Sequence, residues 1–234
     1  MEHKRLTLFA GHYGSGKTNI AVNYAIALAK EGKQVCIGDL DIVNPYFRTA
    51  DSAKELEKAG VTLISPRFAN SNVDLPALPA EAYRLVEDKR IYGIMDIGGD
   101  DRGAYALGRY VPAIKAEANY RMVFVANCYR PLTRTPEEAL EVMGEIEAAC
   151  GLPFTDIVGN SNLGPETTPQ TLLDSVDFTE TLSRLSGLPI FAYTAESQVA
   201  AALEGKLSPV IPLQLQEKYF DLPSQKPGNR PLWG

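Results

Sequence analysis

GHYGSGKTNIAVNYA, Gly11–Ala25, is the stretch from which the rest of the chain can be read. Gly11 to Thr18 fit the pattern G-x-x-x-x-G-K-[ST]. RLTLFAG (Arg5–Gly11) in front of it has the composition of a short buried strand. Behind it, Ile20, Ala21, Tyr24 and Leu28 recur at helical spacing until Gly32 supplies a stop. A glycine-rich loop between a strand and a helix can turn successive backbone N–H groups toward one anion, and the helix N-terminus adds its partial positive charge. Lys17 then reaches the terminal phosphates of a nucleotide, and the Thr18 hydroxyl can ligate Mg²⁺. The candidate nucleotide contacts in this stretch are Gly11, His12, Gly14, Ser15, Gly16, Lys17, Thr18 and Asn19. The alternative is an ordinary glycine-rich turn.

The strand and helix pattern continues outward from this loop. KQVCIGDLD (Lys33–Asp41), VTLIS (Val61–Ser65), RIYGIMDIGG (Arg90–Gly99), YRMVFVAN (Tyr120–Asn127), FTDIVGNSN (Phe154–Asn162) and LPIFAY (Leu188–Tyr193) read as further strands. Helical segments are expected over Asp51–Ala59, Pro79–Glu87, Ala104–Ala116, Pro136–Ala149 and Gln170–Leu185. Nearly continuous apolar strands alternating with helices call for an α/β fold, a mostly parallel sheet covered on both faces. Ligands of such sheets bind at the carboxyl ends of the strands. A single domain over residues 1–220 accommodates this order, and residues 221–234, DLPSQKPGNRPLWG, read as an extended tail.

Composition narrows the class. The chain has 234 residues, is 45% hydrophobic and 22% charged, and carries a formal charge of −6. These are globular values, and the negative balance argues against nucleic acid as a partner. The three cysteines, Cys36, Cys128 and Cys150, are far apart and form no C-x-x-C pair, so a disulfide framework or cysteine-rich metal site is not expected. No apolar run approaches the ~20 residues that cross a bilayer. A cytoplasmic setting is the expectation.

Two further strand ends carry carboxylates. GDLDIVNPYFR (Gly38–Arg48) places Asp39 and Asp41 at the ligand edge, where one can hold a metal-bound water and the other orient an attacking water. A helix cap and a solvated turn are the plain alternatives. IMDIGGDDRGAY (Ile94–Tyr105) places Asp96 at the next edge position, suited to Mg²⁺, followed by Gly98 and Gly99, which allow a backbone N–H close to a γ-phosphate. A tight turn would also use two glycines.

GHYGSGKT, DLDIVNPYF and DIGGD, in this order, resemble the MinD/ParA-type P-loop ATPase family, which is related to the nitrogenase iron protein and to the cobyrinate and dethiobiotin synthases. The resemblance runs from about Leu6 to about Leu203, with specific motifs in the first half and topology in the second. It implies Mg²⁺ and ATP as cofactors, Lys17 and Asp41 as the catalytic pair, and Thr18, Asp39 and Asp96 around the metal. Asp96 and Gly99 would form a switch. It also implies an Asn that reads the purine at the end of a late strand, for which IVGNSN offers Asn160 and, as the alternative, Asn162.

Two departures from that family matter. His12 stands where many members carry a lysine that reaches across a dimer, so His12 could pack in the loop, donate to a phosphate of its own chain, or do so across a homodimer. Pro209, Pro212 and Pro223 interrupt the segment where some members have a membrane-binding helix, so stable membrane anchoring is not expected. The iron protein's cluster cysteines are also missing from GGDDRGAYALGRY (Gly98–Tyr110).

The expected function is an Mg-ATP-binding, slowly hydrolysing switch whose loops are read by a protein partner. CYRPLTRTPEE (Cys128–Glu138) and PRFANSNVDLPALP (Pro66–Pro79) are candidate partner contacts. A biosynthetic kinase or ligase of the dethiobiotin or cobyrinate synthase type, and an ATP-binding module without hydrolysis, are the alternatives.

Overall fold

Leu6, Leu8 and Ala10 of strand β1 (Leu6–Ala10) face one apolar layer, and Phe9 faces another. This two-sided burial is what a nearly continuous apolar strand predicts. The computed structural model describes residues 3–40, 49–65, 80–98 and 101–215. Around β1 they build one parallel sheet from β2 (Val35–Leu40), β3 (Thr62–Ile64), β4 (Tyr92–Ile97), β5 (Tyr120–Ala126), β6 (Asp156–Gly159), β7 (Ile190–Glu196) and β8 (Val210–Leu213). The strand order is β3-β2-β4-β1-β5-β6-β7-β8. The α/β expectation is met, with the glycine-rich loop leaving the sheet near its centre.

Helices cover both faces. On one side lie α1 (Lys17–Lys30) and α2 (Ala53–Lys58), which contribute Ile20, Tyr24, Leu28 and Leu56. On the other lie α3 (Arg84–Glu87), α4 (Asp101–Gly108), α5 (Val111–Glu117), α6 (Pro136–Cys150) and α8 (Val176–Ser186), through Leu85, Leu107, Ile114, Met143 and Leu182. Short α7 (Pro169–Leu173) and α9 (Ser197–Ala202) close a small cluster with Leu172, Ala195 and Leu203. Helix α6 starts with a capping box in which Thr135 accepts from the Glu138 N–H, worth about 1 kcal/mol, and it ends at Gly151.

Three stretches differ from the sequence expectation. Ala104–Ala116 is not one helix, because Pro112 lacks the N–H an uninterrupted helix would need and instead lies in the first turn of α5. Gln170–Leu185 divides at Ser175, whose hydroxyl donates to the Leu172 carbonyl at 2.8 Å and competes with the helical ladder. The proline-bearing segment after α9 supplies β8, an edge strand on which Pro212 needs no ladder N–H.

At the end of the sheet away from the loop, buried Arg5 ties several elements together. Its guanidinium pairs through Nε and Nη2 with Glu117, and its Nη1 donates to the carbonyls of Leu85 at 3.0 Å and Ile91 at 3.2 Å. Among the described residues no helix is long and apolar enough to cross a membrane. The tail over residues 221–234 lies outside the described residues.

Candidate functional site

The loop from Gly11 to Gly16 is held by contacts that leave its glycines no substitutes. A Cβ on Gly11 would come within 2.6 Å of the Val125 carbonyl oxygen on β5. Gly16 has a φ of +92° and caps α1 without any side chain, so the first N–H groups of the helix remain available to an anion. A Cβ on Gly16 would lie 2.2 Å from the side-chain nitrogen of Asn160. Within the loop the Ser15 N–H donates to the His12 carbonyl at 3.0 Å. Ser15, Lys17 and Thr18 are all buried, and the Ser15 hydroxyl has no hydrogen-bond partner among the described residues.

Residues on β6 and β7 brace the loop from one side. The Asn160 amide donates to the Ser15 carbonyl at 2.7 Å, and its own oxygen accepts from the Thr194 hydroxyl at 2.7 Å. Asn160 therefore has one side-chain N–H without a partner among the described residues. The Asn162 amide donates to the Asn160 carbonyl at 2.9 Å and its oxygen accepts the Gly164 N–H at 3.2 Å, so it shapes its own turn. Between these residues, Asn19, Glu196 and Leu213 lies a cavity of about 180 Å³, bounded also by Gly16. The Glu196 carboxylate at its wall caps α9, accepting the Gln198 N–H at 2.9 Å.

On the other side of the loop the strand ends bear acids. Asp96 on β4 is the register partner of Phe9 on β1 and of Asp39 on β2. Register partners share a face, so the two buried carboxylates lie side by side, one and two strands from the loop. Thr49 donates its hydroxyl to Asp96 Oδ2 at 3.0 Å. Hydroxyl and carboxylate oxygens are the hard donors that suit Mg²⁺, and clustered buried acids beside a phosphate loop fit a divalent cation. Asp41 and Gly99 lie outside the described residues, as does the Pro66–Pro79 segment.

His12 lies at the loop's outer side, half-buried, with Nδ1 3.1 Å from the Tyr13 carbonyl oxygen. That oxygen only accepts, so Nδ1 carries the proton. Burial pushes the Cys36 thiol up to about 11 and raises that of Cys128, which keeps both as neutral thiols. Asn19 is half-buried, and its side-chain oxygen accepts from Asn23 at 2.6 Å.

A family model described as the CobQ/CobB/MinD/ParA nucleotide binding domain matches residues 6–165. The chain belongs to this family. Its fold and loop are those of a P-loop NTPase of the MinD/ParA type. Among curated proteins none matches the chain in sequence. Similar solved structures include the signal recognition particle receptor FtsY from Elizabethkingia anophelis in complex with GDP, 16% identical over 81% of this chain and 56% of that one, with a TM-score of 0.50. The cell division protein FtsY from Thermotoga maritima is 17% identical over 79% and 59%, with a TM-score of 0.52. Chloroplast FtsY from Physcomitrella patens is 15% identical over 81% and 58%, with a TM-score of 0.52. The chain thus spans less than two thirds of each of these proteins, and at such identities the likeness is one of fold.

Several participants carry no motif of their own. Thr49, Thr194 and Glu196 join the site through strand pairing and loop return. Arg130, whose Nε donates to the Gly14 carbonyl at 2.9 Å, comes from Cys128–Glu138, which the sequence marks as a candidate partner contact. Chain-distant hydrogen bonds of this kind leave no local pattern to read.

Proposed function

We propose that this protein binds Mg-ATP and hydrolyses it slowly as a switch read by a protein partner. The observation that carries the reading is the order of groups along the sheet edge. Buried acids on β2 and β4 lie to one side of the phosphate loop on β1, and an amide-lined cavity on β6 and β7 lies to the other. A nucleotide laid along that edge has its phosphates at Lys17 and Thr18, its terminal phosphate toward the acids, and its base toward Asn160. Bound Mg²⁺ would be held by Thr18 with Asp39 and Asp96 around it, and would neutralise charge on the phosphates. Asp41 orients the attacking water, and Gly99 follows the terminal phosphate.

Adenine is the proposed base, on the strength of the Asn at this strand end in the resembling ATPases. GTP is the second reading, because the Glu196 carboxylate at the cavity wall can accept from guanine's N–H donors. The FtsY structure from Elizabethkingia anophelis holds GDP, a property of that protein. Competition of ATP and GTP for the purified protein, together with phosphate release in the absence of any acceptor, tests the proposal. Tighter binding of ATP and acceptor-free release support the switch. Release that requires a small acceptor supports the kinase or ligase alternative instead.

A further inference from the structure

Most side-chain acceptors along the cavity beside the phosphate loop are already engaged within the protein. Asn160 Oδ1 accepts from the Thr194 hydroxyl at 2.7 Å, Asn162 Oδ1 accepts the Gly164 N–H at 3.2 Å, and Asn19 Oδ1 accepts from the Asn23 amide at 2.6 Å. Among the described lining residues, Glu196 carries the one charge. Its Oε2 accepts the Gln198 N–H at 2.9 Å and the Val199 N–H at 3.4 Å. Its Oε1 forms no hydrogen bond or ion pair among the described residues.

Strand geometry sets this carboxylate beside Asn160. Thr194 and Glu196 are two apart on β7, so their side chains leave the same face of the sheet, about 7 Å apart along the strand. Thr194 touches Asn160 at the end of β6, the neighbouring strand. Val158 and Ala192, two residues before Asn160 and Thr194, lie in the apolar layer that α1 covers, so this face is the one on which the phosphate loop delivers its helix. Two backbone donors hold the Glu196 carboxylate at the start of α9 before any ligand arrives, and little side-chain freedom is lost on binding.

We propose that Glu196 Oε1 accepts the exocyclic amine of adenine and is the residue that selects the base, while Asn160 chiefly holds the loop. The assignment rests on the nucleotide reading above. On either hydrogen-bonding edge adenine presents its amine beside one ring nitrogen that accepts. Oε1 meets the amine, and the amide N–H that Asn160 has left meets the ring nitrogen. Guanine presents two adjacent donors, its ring N–H and its amine, whereas Oε2 already carries two backbone N–H groups. One guanine donor is then left without an acceptor, and an unmet polar group of this kind is what gives strong discrimination between similar ligands.

Glu196→Gln reverses the contact. The cap of α9 needs an oxygen, so the amide oxygen stays on the α9 N–H groups and the amide nitrogen, a donor, takes the place of Oε1. The test measures binding of ATP, GTP and purine riboside triphosphate, which lacks the exocyclic amine, to the parent, Glu196→Gln and Lys17→Ala. Affinity ratios are taken within each protein, so partial unfolding of a variant cancels. The parent should bind ATP about tenfold or more tighter than the amine-free analogue, and Glu196→Gln should lose that difference. The ATP-to-GTP ratio should fall in the same variant, because the new donor meets the guanine carbonyl. Equal binding of ATP and the amine-free analogue by the parent, or an unchanged ratio in Glu196→Gln, overturns the inference and leaves Glu196 as the cap of α9 only. A parent that prefers GTP overturns it in favour of guanine. Equal ATP binding by the parent and Lys17→Ala overturns the nucleotide site itself, and the inference with it.

Discussion

Asp39 and Asp96 stand opposite each other across the β2–β4 pair, both buried, each one residue before the end of its strand at the ligand edge. Neighbouring buried carboxylates repel unless a cation or donors hold them. This placement predicts that Asp39→Asn and Asp96→Asn each raise the Mg²⁺ concentration for half-maximal activity by about tenfold or more. Nucleotide hydrolysis titrated with Mg²⁺ checks it, and parent-like titrations in both variants would remove the acids from the metal site.

Asn160→Ala removes the brace on the Ser15 carbonyl and strands the Thr194 hydroxyl, which donates to Asn160 at 2.7 Å. We expect affinity for ATP, ADP and GTP to fall together by about tenfold, because the damage reaches the phosphate loop that all three share. Fluorescence titration of the three nucleotides decides the matter. A changed ATP-to-GTP ratio with undiminished GTP affinity would assign Asn160 to the base alone.

Gly16→Ala forces a Cβ into the Asn160 amide at a φ of +92°. The left-handed conformation alone costs a non-glycine residue about 1–2 kcal/mol, and the clash adds to it. Thermal unfolding should show a lowered Tm, and nucleotide binding should be lost even where the fold survives.

Glu117 supplies the pH dependence. Burial pushes its carboxyl up, but the hydrogen bonds from Arg5 and Lys89 outweigh that and hold it below its ordinary 4.5. The stabilisation is therefore present above pH 4.5 and fades as the pH falls through the lower, folded value. Glu117→Gln, which leaves buried Arg5 without its charge partner, should cost about 3 kcal/mol at pH 7. In urea unfolding the gap between variant and parent should narrow in acid below pH 4.5. A gap that is constant with pH would mean that the pair contributes nothing through its charge.

The central layer of the fold was legible because β1, β4 and β5 are apolar on both faces, and Gly11–Thr18 carries its spacing within one short stretch. Asp39 and Asp96 could be placed at the ligand edge because each ends such a strand. The loss of Pro112 from a continuous helix and the use of Pro212 in an edge strand were not legible, since proline reads locally as a break and only tertiary pairing shows where the break falls. Asn160 was found by its strand end, but its commitment to Ser15 and Thr194 depends on residues 145 and 34 positions away. Arg130 was hidden for the same reason, 116 positions from the carbonyl it meets.

The loop closed by Lys17 and Thr18 is proposed to bind a nucleotide through its phosphates. Calorimetric titration of Mg-ATP into the parent and into Lys17→Ala tests this most directly. One site is expected in the parent and no measurable binding in the variant, since Lys17 contributes a charge-assisted contact of about 1.5–3 kcal/mol and the loop closes around it. Unchanged affinity in Lys17→Ala would contradict it.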